Sequence, residues 1–97
     1  MRWTWDEEKN RRNRRVHGLS FETAEFVFDD PLAASRPDHL AGEERWQTIG
    51  MIDGVIVLLV HTWPESDSSG EGEEVGRIIS ARKATVHERK AYEEDRF

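Results

Sequence analysis

Trp3 and Trp5 alternate with Arg2 and Thr4, the period of a short strand with one apolar face. The pattern then changes: between residues 7 and 17 the only aliphatic side chain is Val16. Asp6 suits a helix N-cap, Glu7 and Glu8 follow it, and arginines gather toward Gly18, an order that complements the helix dipole. A helix this polar has no stripe to bury, so it is expected on the surface, open to a partner or ligand. Ser20 caps a second helix over residues 20–28, which puts Phe21, Ala24, Val27 and Phe28 on one side and lays that side on a sheet. Asp29-Asp30-Pro31 ends it, because the residue before proline disfavours the helical region. Residues 32–36 read as a short edge strand and 37–44 as a loop. Residues 45–52 alternate loosely, and Asp53-Gly54 is a two-residue hairpin signal. Residues 55–63 are almost wholly apolar, as in a central strand covered on both faces. A Ser/Gly/acid-rich segment at 64–74 reads as a mobile loop, and 75–83 as a last strand. Thr85 and Glu88 form a capping box opening a helix to about residue 94. The element order β-α-α-β-β-β-β-α predicts one α+β domain over residues 1–97, with a mostly antiparallel sheet, two N-terminal helices and one C-terminal helix.

Composition narrows the class. At 97 residues, with 36% apolar side chains, the chain can build one core with little margin. It has no cysteine, which excludes disulfides, thiolate zinc sites and a cysteine nucleophile. The longest aliphatic run is far short of a membrane span, and the polar N-terminus has no secretory h-region, so a cytoplasmic protein is expected. Net charge is −6, which taken whole argues against a nucleic-acid partner. Five acids, however, lie within residues 65–74, and setting them aside leaves fourteen bases against fifteen acids. Basic groups cluster in the first eighteen residues and again past residue 76. Screening confines each charge to about 8–10 Å, so these patches count for more than the total.

Candidate chemistry follows from those patches. Lys9, Asn13 and His17 share a face of the first helix at spacing i, i+4, i+8. Strict alternation in the last strand sets Arg77, Ile79 and Ala81 on one face and Ile78, Ser80 and Arg82 on the other. Arginines leaving an apolar strand need partners: carboxylates of this acid-rich chain, or phosphate, which the guanidinium fork suits. His61 closes the aliphatic strand, where it is either a satisfied core residue or a proton-transfer group. No zinc-type HExxH, phosphate-cradling glycine loop or GxSxG is present, so neither metal nor cofactor is expected.

Three blocks, WTWDEEKNRRNRRVHGLSFETA (3–24), GEERWQTIG (42–50) and GRIISARKATVHERKAYEE (76–94), resemble the BrnT family of toxins in order and spacing. The first carries W-D-x-x-K-x-x-x-N and H-G-x-S-F-E; the last carries R-I-I-S-A-R-x-A-x-x-x-E-R-x-x-Y. The resemblance implies a small RelE-like fold and a type II toxin: a ribonuclease that stops translation. It also implies a BrnA-like ribbon-helix-helix antitoxin, with operator DNA reached only through that antitoxin. Two departures stand out. Val16 occupies a position where the family often has lysine, which weakens phosphate contact there, and the 64–74 segment is longer and more acidic than the usual turn. RNA is cut without metal when its 2′-hydroxyl attacks the adjacent phosphorus, which requires alignment, charge neutralisation and proton movement. Arg77 and Arg82 are the first candidates for phosphate, with Lys9, Asn13, Arg45 and Lys83 as further RNA contacts. His61, Glu88 and Tyr92 are candidates for proton transfer. The matched motif carries Arg77, Arg82, Glu88 and Tyr92. The alternative reading is a non-catalytic interaction domain, a degenerate toxin serving as antitoxin partner, co-repressor or RNA-binding module.

Overall fold

A computed structural model describes residues 2–38, 44–63 and 74–97. The element order is β1 (Arg2–Thr4), α1 (Glu7–His17), α2 (Phe21–Ala24), a 3-10 turn (Glu25–Asp29), β2 (Ala34–Asp38), β3 (Arg45–Ile52), β4 (Val55–His61), β5 (Val75–Lys83) and α3 (Val86–Glu93). Among the described residues the sheet runs β1-β5-β4-β3-β2, with the β1–β5 pair parallel and the others antiparallel. The expected α+β class and element order hold. The second helix is shorter than expected: its α-helical turns stop at Ala24 and a 3-10 turn continues to Asp29. The edge strand begins and ends two residues later than expected, because Ala34 to Asp38 pair with Ile49 to Arg45 and carry Pro37 on the sheet's outer edge. The acidic segment expected to be a mobile loop lies outside the described residues except for Glu74.

Local chemistry accounts for the boundaries. Asp6 accepts from the Glu8 and Lys9 amides at the start of α1, and Gly18 closes that helix in the left-handed region at φ 70°. Asp53 and Gly54 both have positive φ, 47° and 81°, which a type I′ hairpin turn between β3 and β4 requires. The Thr85–Glu88 capping box is fully formed.

Two cores cover the two faces of the sheet. On one face Trp3, Phe21, Ala24, Leu59, Ile78 and Ala81 pack together under α1, α2 and the 3-10 turn. On the other, Ile49, Ile56 and Leu58 pack against Ala34, Ala84, Tyr92 and Phe97, so α3 and the C-terminus cover one end of that face.

The polar helix α1 docks without an apolar stripe. Its buried residues are Asn10 and Asn13, 0% and 6% exposed. The Asn13 amide donates to the Leu19 and Ala81 carbonyls, each at 2.8 Å, and its oxygen accepts from the Ala81 N–H at 3.2 Å. β1 pairs with β5 only as far as Arg77, so Asn13 does for Ala81 what a neighbouring strand would do. Asn10 works the same way: its oxygen accepts from the Phe21 N–H at 2.8 Å, and its NH2 donates to the Glu22 and Glu7 carboxylates.

Candidate active site

The β4–β5 register breaks between Val60 and His61: Val60 stands opposite Ser80, but His61 stands opposite Ile78. The extra residue, Ile79, is a bulge, and it overturns the strict alternation expected for β5. Ile78 and Ala81, three apart, both face the core under α1 and α2. Arg77 and Arg82, expected on opposite faces, therefore share the other one. Arg82 stands opposite Leu58, whose side chain lies in the α3-side core. Parity from Ile49 places Gln47 and Arg45 on this same face, and parity from the buried Trp3 places Arg2 there. Arg36 joins them: its Nε donates to Gln47 Oε1 at 2.9 Å, and its guanidinium stacks 4.0 Å from the Phe97 ring centre.

The part of this face that α3 leaves open thus carries five arginines, with Asp38 and Glu88 as neighbouring acids. Arg45 and Arg77 lie two strands apart, with Thr62 between them, so their backbones are about 10 Å apart. Asp38 stands opposite Arg45 on the far side. Four residues along β4 from Thr62, at Leu58, comes Arg82, about 13 Å from Arg77. The Nε of Arg45 is buried and has no hydrogen-bond partner among the described residues. An unmet donor there is costly, and an incoming acceptor relieves it.

Arg82 and Glu88 form a bidentate pair at 2.7 and 3.0 Å on the margin of α3. The hydrogen bond from Arg82 dominates the Glu88 carboxyl and, with bonds from Thr85, outweighs burial, holding its pKa down to about 2. Glu88 in turn raises that of Arg82.

The other proton-transfer candidates sit elsewhere. His61 is 0% exposed on the opposite face, ringed by Trp3, Phe28 and Trp63. Burial lowers its pKa, with partial relief from the Thr62 carbonyl. A carbonyl only accepts, so Nδ1 carries the proton toward Thr62 O at 2.8 Å, and Nε2 accepts from Thr48 Oγ1 at 2.6 Å. The imidazole is neutral and fully bonded. Tyr92 packs beneath α3, where its hydroxyl donates to Asp30 Oδ2 at 2.6 Å; that bond pushes its pKa up to about 12. Burial presses the Asp30 carboxyl upward, but bonds from Tyr92, Leu32 and Met51 together leave it lowered. Asn13 is spent on backbone groups, Lys9 is exposed on α1, and Lys83 is exposed at the end of β5.

The structure therefore gathers Arg77, Arg82, Arg45 and Glu88 on one face, leaves His61, Asn13, Lys9 and Lys83 apart from it, and puts Tyr92 over the same face but bonded to Asp30, away from the arginines. Arg2 and Arg36 were missed. Arg2 was legible from its alternation with Trp3; Arg36 needed the β2–β3 register, which no short-range pattern carries. Among the described residues no three His, Asp or Glu side chains are grouped to hold a metal, and no helix is long and apolar enough to cross a membrane.

Residues 5–88 match the family model described as the ribonuclease toxin BrnT of type II toxin–antitoxin systems. The chain belongs to the BrnT family. A search of the curated proteins found no match. The match takes in the three blocks' shared motifs from Trp5 to Glu88, including Arg36, Arg45, Arg77 and Arg82, and stops short of Tyr92. BrnT membership makes the chain a toxin of the ribonuclease class and implies an antitoxin as its partner.

Proposed function

We propose that this BrnT toxin is a metal-independent endoribonuclease that inhibits translation, and that the arginine-lined sheet face is where RNA is cut. The observation that carries the reading is the β5 bulge, which brings Arg77 and Arg82 to the sheet face that also carries Arg45 on β3. In the reaction the RNA 2′-oxygen bonds to phosphorus and the P–O5′ bond breaks, leaving a 2′,3′-cyclic phosphate and a 5′-hydroxyl. One proton leaves the 2′-hydroxyl and one reaches the departing oxygen. Negative charge builds on the phosphorane oxygens. Arg77 and Arg45, on strands that fix their backbones, meet that charge, and electrostatic stabilisation of this kind is usually the largest source of rate in such sites. Arg82 completes the cluster as its fork turns from Glu88 toward phosphate. Of the three proton-transfer candidates, Glu88 is the one bonded to an arginine of this cluster, and it is ionised at neutral pH. It is the group proposed to take the 2′-proton. Its low pKa makes it a weak base while paired, and loss of Arg82 to phosphate raises it.

The antitoxin in this reading is a BrnA-like ribbon-helix-helix protein that supplies acids to the arginine face and so excludes RNA. Purified protein incubated with RNA in excess EDTA tests the reading. Fragments ending in 2′,3′-cyclic phosphate support it; binding without cleavage favours the degenerate-toxin alternative.

A further inference from the structure

Among the described residues, the outward side of α1 holds the strongest positive charge concentration that the sheet face does not use. Lys9, Arg11, Arg12, Arg14 and Arg15 are all exposed. None of them has a carboxylate partner within 4.0 Å among the described residues, in a chain whose net charge is −6. The Asn10 and Asn13 anchors fix how the helix is rolled, so these cations are held outward. Arg11, Arg14 and Arg15 surround one shallow depression on the outer surface. Lys9, Arg12 and His17 line a second hollow of about 310 Å3 between α1 and the β5 bulge, together with Ile79 and Ser80.

The position of that second hollow connects the two basic regions. It lies on the stretch of β5 beyond Arg77, where β1 no longer pairs, and the same stretch carries Arg82 on its other face. A chain leaving the arginine face over this edge meets Lys9 and Arg12 next, then Arg11, Arg14 and Arg15. Four of the five cations are arginines, whose forks fit phosphate oxygens in pairs.

We propose that α1 is a second RNA-binding surface, a phosphate track that holds RNA flanking the segment on the sheet face. The inference rests on the ribonuclease reading and extends it: the substrate is a long RNA, gripped on both sides of the β5 edge. The contacts are to backbone, so they add affinity without base preference.

The test uses the full chain and the quadruple variant R11Q/R12Q/R14Q/R15Q. The first probe is a 30-nucleotide RNA, 2′-O-methylated throughout so that it cannot be cut; the second is a four-nucleotide RNA, read for cleavage. Four phosphate contacts add roughly 3 to the slope of log affinity against log salt. Between 50 and 200 mM salt, wild type should therefore lose roughly 50-fold more affinity for the long probe than the variant loses. Cleavage of the short RNA should be unchanged. Equal slopes and affinities overturn the proposal, as does a variant whose loss is confined to antitoxin binding, which would make α1 a protein-docking surface. Failure of wild type to cleave the short RNA sinks the ribonuclease reading, while the salt slopes still decide the role of α1.

Discussion

Replacing Asn13 by alanine should destabilise the fold far more than any other single change on α1. The side chain makes three hydrogen bonds, and two of them satisfy both backbone groups of Ala81, a residue 1% exposed. Alanine leaves that N–H and C=O buried without partners, at about 1–3 kcal/mol each. Leu19 is half-buried, so its carbonyl recovers part of its loss from water. Alanine returns at most about 0.7 kcal/mol through helix propensity. The net expectation is a loss of about 2–4 kcal/mol. In urea, with a slope of about 1–3 kcal/mol per molar, the midpoint should fall by about 1 M or more. Tryptophan fluorescence reads the transition. Asn13→Asp should be as damaging or worse, because a carboxylate has no donor for the Ala81 and Leu19 carbonyls. Arg15→Ala, on the exposed side, should stay within about 0.5 kcal/mol. A midpoint for Asn13→Ala within about 0.3 M of wild type would refute the claim that amide pairing, in place of an apolar stripe, holds this helix.

Gly76→Ala should cost about 1–3 kcal/mol or more in the same assay, since a Cβ there overlaps the Trp3 ring, which is stacked on Phe28 and set edge-on to His61; an unchanged midpoint would show that the ring can yield. Folding is also linked to pH at both extremes. Tyr92 is raised to about 12, so its contribution is present below its ordinary value of 10.0 and lost as pH rises from there through 12. Tyr92→Phe should flatten that alkaline decline in a melting series. Glu88 is lowered from 4.5 to about 2, so its contribution is present above 4.5 and lost as pH falls through 2. Glu88→Gln should flatten the acid limb, and an unchanged limb would place the linkage in other groups.

The elements of this fold were legible because each carries its own local signal: the Asp6 cap, the Gly18 stop, the Asp53-Gly54 turn, the apolar run of β4 and the Thr85–Glu88 box. The candidate site was only partly legible. Arg77, Arg82 and Glu88 came from a matched motif, but their arrangement depends on the Ile79 bulge. A bulge is set by the pairing of β5 with β4 and leaves no mark in the alternation of β5 alone. Asn13 misled for a related reason. A polar residue on a polar helix reads as solvent-facing, and only the end of β1 pairing at Arg77 shows that a backbone edge waits for it. His61 was correctly singled out as unusual, and its setting between Thr48 and the Thr62 carbonyl is that of a satisfied core histidine.

Cleavage of a short RNA by the double variant R45Q/R77Q, in EDTA and beside wild type, bears most directly on the sheet face. Losing one such charge contact typically slows a reaction 100- to 1,000-fold, so the pair should fall by at least that factor while its urea midpoint stays near that of wild type. A folded double variant that still yields 2′,3′-cyclic ends at the wild-type rate would contradict the assignment of RNA cleavage to these guanidinium groups.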